Sequence, residues 1–421
     1  MSNKKKIVKN INLLLQNFYK KNNKNNYSNQ NFITLSEPLY DDKEAIALLT
    51  TFLSGNLSQG KKVLEFEKNF AQAIGTKYAI ATNSGSSANL ISLQALKTLH
   101  NINKNDEVIL PASTFATVPM PVLQLGLKPV YVDVDLKTLN ISTKEISKAI
   151  TSKTKIIMPV HTLGMPCDMK EIMQIARTHK LLVFEDCCEA HGASIDKKNV
   201  GSWGNISAFS FFVAHNITTI EGGMILTNDK NLYDHCKSLR EFGRISQINL
   251  KKKRYYSDSY LKNYDKRYVF KNIGYNMRLT ELQAALGVVQ LKKMRKFNNK
   301  RISNANYLLN LISKKLLNFV NTTITPKNYI NTFYTFPILL KKGINRIKVC
   351  NFLEKNKIQT RPMMAGCLPD QPGLINQNKR IVGNLKNSRF IKDNCFFIGI
   401  HPSVSKPSLR YFVKTMEKFF K

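Results

Sequence analysis

Acidic residues are scarce in this chain: 28 Asp and Glu stand against 64 Lys and Arg over 421 residues, a formal charge of +36. Such an excess invites a nucleic-acid reading. Lys and Asn nevertheless run along the whole chain instead of gathering in one stripe or tail. The surplus therefore reads as compositional bias, and no nucleic-acid partner is expected. Its field still draws in an anionic substrate such as a nucleotide diphosphate. Paired cysteines are lacking too. Cys167, Cys187, Cys188, Cys236, Cys350, Cys367 and Cys395 are scattered, without the spacing of a zinc site or a disulfide framework, so no metal is expected. No apolar run is long enough to span a bilayer, and no secretory core follows the basic first ten residues. The reading is a cytoplasmic protein without membrane insertion. No internal repeat is apparent.

What is present is a globular composition, 43% apolar, on a chain longer than one core usually supports, so two domains are expected. Residues 1–35 form a basic extension in which Ile7, Leu13, Leu14 and Phe18 fit one amphipathic helix, followed by a connector at 20–31. Helices are expected from Asp42 and Val63. Short apolar strands then alternate with helices: strands at 78–82, 107–110, 129–134, 156–160, 181–184, 208–212 and 223–227, helices at 88–96 and 169–179. Ser142 and Glu145 carry the capping-box pattern. The alternation predicts an α/β domain over 36–295 with a mostly parallel central sheet covered by helices. After a helix at 281–293 the pattern changes to helix 298–316, strand 335–340, helix 345–355 and strand 359–363. This predicts a smaller α+β domain over 296–421.

In an open α/β sheet, ligands sit beyond the carboxyl ends of the strands. Four segments fall there. Asn83-Ser84-Gly85-Ser86-Ser87-Ala88-Asn89 is a small-residue turn from strand to helix, suited to a phosphate or merely an ordinary turn. Phe115 could stack on a flat ring or pack in the core. Asp186 ends a very apolar strand, where a carboxylate can pair with a protonated ring nitrogen or cap a helix. Ser210 and His215 lie in a fourth segment, in which a lone histidine is ordinarily structural.

Taken together, the order and spacing of these segments over about residues 40–415 resemble the DegT/DnrJ/EryC1/StrS sugar aminotransferases, fold-type-I pyridoxal phosphate (PLP) enzymes. Phe66-Glu67, the run Pro129 to Asp135, His161-Thr162-Leu163-Gly164 with Asp168-Met169, and the run Gly274 to Glu281 carry the same resemblance. It implies that Gly85, Ser86, Ser87 and Ser210 hold the cofactor phosphate, that Asp186 meets the pyridine nitrogen and that Phe115 covers one ring face. Asn276 would reach the phosphate of a neighbouring subunit, which implies a homodimer. Glu189 stands where many members have Gln, and Arg361 is a candidate substrate contact.

The position of His215 is, in the aminotransferases, the lysine that binds the cofactor covalently, and imidazole cannot form that bond. A side branch that this sequence looks like, the 3-dehydratases of nucleotide-linked 4-keto-6-deoxyhexoses, has histidine there. Glu185-Asp186-Cys187-Cys188 and the run Arg361 to Gly366 also look like that branch. The resemblance implies an amine form of the cofactor (PMP) acting at the sugar's C4 ketone. A base would then take the cofactor's C4′ proton while the C3 hydroxyl leaves. An unperturbed histidine, with a pKa near ~6.5, suits both tasks at neutral pH. One group within the branch ligates an iron–sulfur cluster through four cysteines. Here the stretch after Glu241-Phe242-Gly243-Arg244 has no cysteine, so no cluster is expected, and glutamate is the implied amino donor. Lys251–Arg254 reads as a solvated loop, with the substrate diphosphate as the other reading. An aminotransferase tolerating histidine, or a silent cofactor-binding homologue, are the alternatives.

Overall fold

The structure, a computed structural model, describes residues 3–22, 31–245 and 264–421. The basic run 251–254 and most of the expected connector lie outside them.

Three helices precede the first strand: α1 (Asn3–Asn22), α2 (Asp42–Ser54) and α3 (Lys61–Ile74). α2 opens on a complete capping box, Asp41 with Glu44, and α3 buries Val63, Phe66, Phe70 and Ile74. The strands β1 (Tyr78–Thr82), β2 (Glu107–Pro111), β3 (Lys128–Val132), β4 (Thr154–Ile157) and β5 (Leu182–Asp186) then alternate with α4 (Gly85–Leu99), α5 (Pro119–Gln124), α6 (Thr143–Ala149) and α7 (Met169–Thr178). Each strand is almost wholly buried, as a sheet covered on both faces requires. A short hairpin, β6 (Ser194–Ile195) and β7 (Lys198–Asn199), leads to β8 (Ile206–Ser210), β9 (Gly223–Thr227) and α8 (Lys230–Arg240). α6 starts after Ser142, but the serine hydroxyl makes no capping bond, so the expected capping box does not form.

A single helix, α9 (Glu281–Lys315, 35 residues), replaces the two helices expected on either side of residue 295. Thr280 and Gln283 cap it reciprocally, and nothing between 293 and 298 is a breaker. The remaining elements are β10 (Val320–Asn321), β11 (Tyr329–Ile330), β12 (Phe336–Leu340), α10 (Arg346–Lys355), β13 (Thr360–Pro362), β14 (Arg380–Ile381), α11 (Lys386–Asn394), β15 (Cys395–Ile398) and α12 (Lys406–Phe420).

The main sheet runs β1-β9-β8-β5-β4-β2-β3-β14. It is parallel except where β9 inserts antiparallel between β1 and β8. β14 comes from the C-terminal part of the chain and extends the edge beside β3. Cys367, Leu368, Leu374 and Leu385 belong to the core beneath the main sheet. Ile33, conversely, pairs with Ile358 and is buried in the C-terminal core. The chain thus crosses between the expected domains at both ends. The smaller sheet, β10-β12-β15-β13, is antiparallel; it shares a core with α9, α10 and α12, and α11 packs on it as well.

Candidate active site

The carboxyl ends of β1, β5 and β8 surround a cavity of about 490 Å³, closed on its other side by Tyr334, Arg361, Pro362, Met364 and Phe397 of the C-terminal part. Of the residues singled out in the sequence, Gly85, Ser86, Phe115, Glu189, Ser210, His215 and Arg361 line it.

The floor is the first turn of α4. Ser84 caps it, accepting from the Ser87 N–H at 3.1 Å and donating its hydroxyl to Ser87 Oγ at 3.0 Å. Ser87 is therefore engaged in the cap and does not line the cavity. The N–H groups of Gly85 and Ser86 have no acceptor among the described residues, and they sit at the positive end of a helix beside the Ser210 hydroxyl, an arrangement that receives a phosphate. Two glycines make the approach. A Cβ at Gly85 would lie 2.5 Å from Ser210 Cβ, and one at Gly223 would lie 2.2 Å from the Ser84 carbonyl oxygen. Side chains there would push β8 and β9 off the turn.

Asp186 lies at the end of β5, 3% exposed and one layer below the cavity. Asn89 Nδ2 donates to its Oδ2 at 2.8 Å and the Cys188 N–H to its Oδ1 at 3.0 Å. Each oxygen keeps a lone pair, and the carboxyl is held in one orientation. Its neighbour Glu185 is occupied otherwise, accepting from the N–H groups of Gly201, Trp203 and Gly204 at 2.7–2.8 Å. Glu185 also meets His161 Nε2 at 3.2 Å. With Cys187 these two form a compact buried group. His161 Nδ1 accepts from the Cys167 N–H, so the group is bound up in its own backbone.

Glu189 accepts from the Leu163 N–H at 2.6 Å. Burial pushes its pKa up, to about 8, so its carboxyl is largely neutral near pH 7. Leu163 needs that anchor because its φ is +53°, a left-handed conformation uncommon for a residue with a Cβ. The loop after β8 carries a second such residue, Ile220 at φ +72°. Phe115 is 55% exposed at the mouth. Asn276 is exposed outside the cavity, bridged to Glu241.

His215 follows β8 in that loop. Its ring lies 5.0 Å from the Tyr334 ring and 5.9 Å from that of His191. Neither ring nitrogen has a hydrogen-bond partner among the described residues, and Nδ1 is buried. Burial and, second, the charge of Arg301 depress its pKa to about 3. The sequence reading of an unperturbed histidine is corrected accordingly: its surroundings hold the imidazole as a free base at neutral pH. No lysine lines the cavity among the described residues. Tyr334 and Glu221 also line it, and the sequence reading did not single them out. Tyr334 lies in an irregular loop far along the chain with no motif around it, whereas Glu221 sits next to the Gly222-Gly223 pair and was within reach.

A turn of free amides, a fixed buried carboxyl one layer down and an aromatic at the mouth fit a phosphorylated pyridine. The class that this fold and site define is the fold-type-I PLP enzymes. The chain belongs to the DegT/DnrJ/EryC1/StrS aminotransferase family, whose profile matches residues 39–417. It is 36% identical over 391 residues to lipopolysaccharide biosynthesis protein RfbH of Salmonella typhimurium, covering 90% of this chain and 89% of that one. It is 31% identical over 374 residues to GDP-4-keto-6-deoxy-D-mannose 3-dehydratase of Escherichia coli O55:H7, covering 87% and 95%. The crystal structure of a GDP-4-keto-6-deoxymannose-3-dehydratase with a trapped PLP–glutamate geminal diamine superposes with a TM-score of 0.83 at 29% identity, over 91% of this chain and 99% of that one.

Proposed function

We propose that this protein is a PLP/PMP-dependent 3-dehydratase that removes the C3 oxygen of a nucleotide-diphosphate-linked 4-keto-6-deoxyhexose, in deoxysugar or lipopolysaccharide O-antigen biosynthesis. One observation carries the reading: an imidazole lines the PLP-type cavity, and no lysine lines it among the described residues.

The bound cofactor supplies an amine for the sugar's C4 ketone and a ring that accepts electrons as the C3–oxygen bond breaks. The chain's residues do the rest. The amides of Gly85 and Ser86 and the hydroxyl of Ser210 bind the phosphate, with Ser87 tightening the turn through its bonds to Ser84. Asp186, oriented by Asn89, would pair with the pyridine nitrogen, and Phe115 would cover the ring. Glu189, held by the Leu163 N–H, would present a neutral carboxyl to the cofactor. His215 accepts a proton on a ring nitrogen, because as a free base it has room for one near neutral pH. As an imidazolium it then donates that proton to the departing C3 hydroxyl. Anionic ligands in the cavity raise the depressed pKa of His215 toward neutrality, which makes the acceptance feasible. Arg361, exposed at the rim with no carboxylate partner among the described residues, contacts the substrate.

We also propose glutamate as amino donor without an iron–sulfur cluster, and a cytoplasmic homodimer in which Asn276 of a second copy reaches the phosphate. No helix among the described residues is long and apolar enough to cross a membrane. The test is mass spectrometry of products from GDP-, CDP-, UDP- and dTDP-linked 4-keto-6-deoxyhexoses with PLP and glutamate. A product lacking the C3 oxygen, with free ammonia, is expected. A 4-amino sugar with its C3 hydroxyl intact would replace this reading with an aminotransferase.

A further inference from the structure

Arg301, on α9, is 3% exposed and has no carboxylate partner among the described residues. Its Nη1 donates to two backbone carbonyls, Phe333 at 3.3 Å and Tyr334 at 2.7 Å, and its Nε is buried without a partner. Burial draws its pKa down only to about 10, so the cation persists at neutral pH. A buried charge left uncompensated is costly, and folds ordinarily pair one. Here the guanidinium is fixed against the backbone of the residue whose ring tilts over His215 at 5.0 Å. The same face of α9 grips the His215 loop directly, since Asn298 Oδ1 accepts from Asn216 Nδ2 at 2.9 Å.

We propose that Arg301 is a positioning residue of the active site. Its guanidinium, clamped behind the Tyr334–His215 ring pair with no carboxylate partner among the described residues, holds that pair in place and adds an unbalanced positive charge to the wall of the cavity until an anionic ligand offsets it.

The other groups facing His215 do not take over this task. His191, on the far side, is held uncharged chiefly by burial. Burial keeps Tyr334 protonated. Glu189 is largely neutral near pH 7, and Glu221 and Arg361 are exposed to solvent, where their fields are screened. Asp186, the other buried charge nearby, is turned to Asn89 and the Cys188 N–H. An anion in the cavity offsets the guanidinium, so the imidazole gains proton affinity when substrate and cofactor are both present.

The inference rests on His215 being the proton-transfer group of the proposed dehydratase, and its test does not need turnover. The His215 ring is followed by ¹⁵N NMR across pH in the ligand-free full-length protein, its signals assigned by their absence from His215→Asn. The wild-type ring should stay neutral between about pH 6 and pH 8. In Arg301→Gln the midpoint should rise by on the order of one pH unit, and Arg301→Lys, which restores a charge, should return it toward the wild-type value. An unchanged midpoint in Arg301→Gln overturns the proposal. A wild-type ring already charged at neutral pH overturns it equally, and that measurement stands even where Arg301→Gln does not fold. Failure of the dehydratase reading would show separately, as a missing product with these titrations intact.

Discussion

Asn89 Nδ2 donates to Asp186 Oδ2 across 2.8 Å, joining the second turn of α4 to the end of β5 so that the N-terminal turn of α4 and the Asp186 carboxyl move as one body. Asp186→Asn keeps the shape and removes the negative charge. Turnover should fall by on the order of 10²-fold or more, because the ring loses the partner of its protonated nitrogen in the transition state. Steady-state rates on a converted nucleotide sugar check this. Wild-type turnover would mean that the cofactor lies elsewhere.

His215→Asn should keep the cofactor and lose about 10²–10⁴-fold in turnover, the usual worth of general acid–base help. His215→Lys should lose dehydration and gain some aminosugar or a covalently held cofactor. Borohydride should fix cofactor to the lysine variant and leave the wild type unlabelled in intact-mass spectra. A stoichiometric adduct on a wild-type pocket lysine would contradict the site as drawn.

The pH dependence of stability isolates Glu189. Its folded-state pKa, about 8, lies above the ordinary 4.5. The unfolded chain therefore gives up the proton first, and this group's contribution declines as pH rises from about 4.5 to about 8. His215 and His401, both depressed to about 3, act oppositely and only below about pH 6.5. Glu189→Gln should flatten the upper decline, read as the urea midpoint at about pH 5 and about pH 8. Parallel profiles for variant and wild type would remove Glu189 as the cause.

Arg240 donates to Glu67 Oε1 at 2.8 Å and to the Ala81 carbonyl at 2.9 Å, and the same carboxylate oxygen accepts from the Ala81 N–H. Both side chains are almost fully buried. Arg240→Met strands the carboxylate and should cost about 3–5 kcal/mol. Replacing both partners, with Glu67→Met added, should recover part of that loss. Denaturant unfolding of both variants measures it.

The strands were readable because burial on both faces leaves continuous apolar runs, as in Val108 to Leu110 and Val183-Phe184. The turn from β1 into α4 was readable because small residues at a strand–helix junction keep their order in the chain. What stayed hidden depends on contacts remote in sequence. β14 is two residues long and has no periodicity of its own; it exists because it pairs with Val130 and Tyr131. Nothing around Tyr334 or Arg301 marks either one, since their position follows from how α9 packs. The state of His215 was misjudged for the same reason: burial and a distant guanidinium leave no trace beside it in the sequence.

α9 reaches from the capped turn at Thr280, past the cavity, to Ile312 in the C-terminal core. At ~1.5 Å per residue it is roughly 50 Å long. Gln290 accepts from the Thr218 N–H in the histidine loop, and Asn304 donates to the carbonyls of His401 and Val404 in the smaller core. Neither half can melt without fraying a helix on which the other depends. Calorimetry should therefore record one cooperative transition for the two cores, displaced as a whole to higher temperature when ligand fills the cleft.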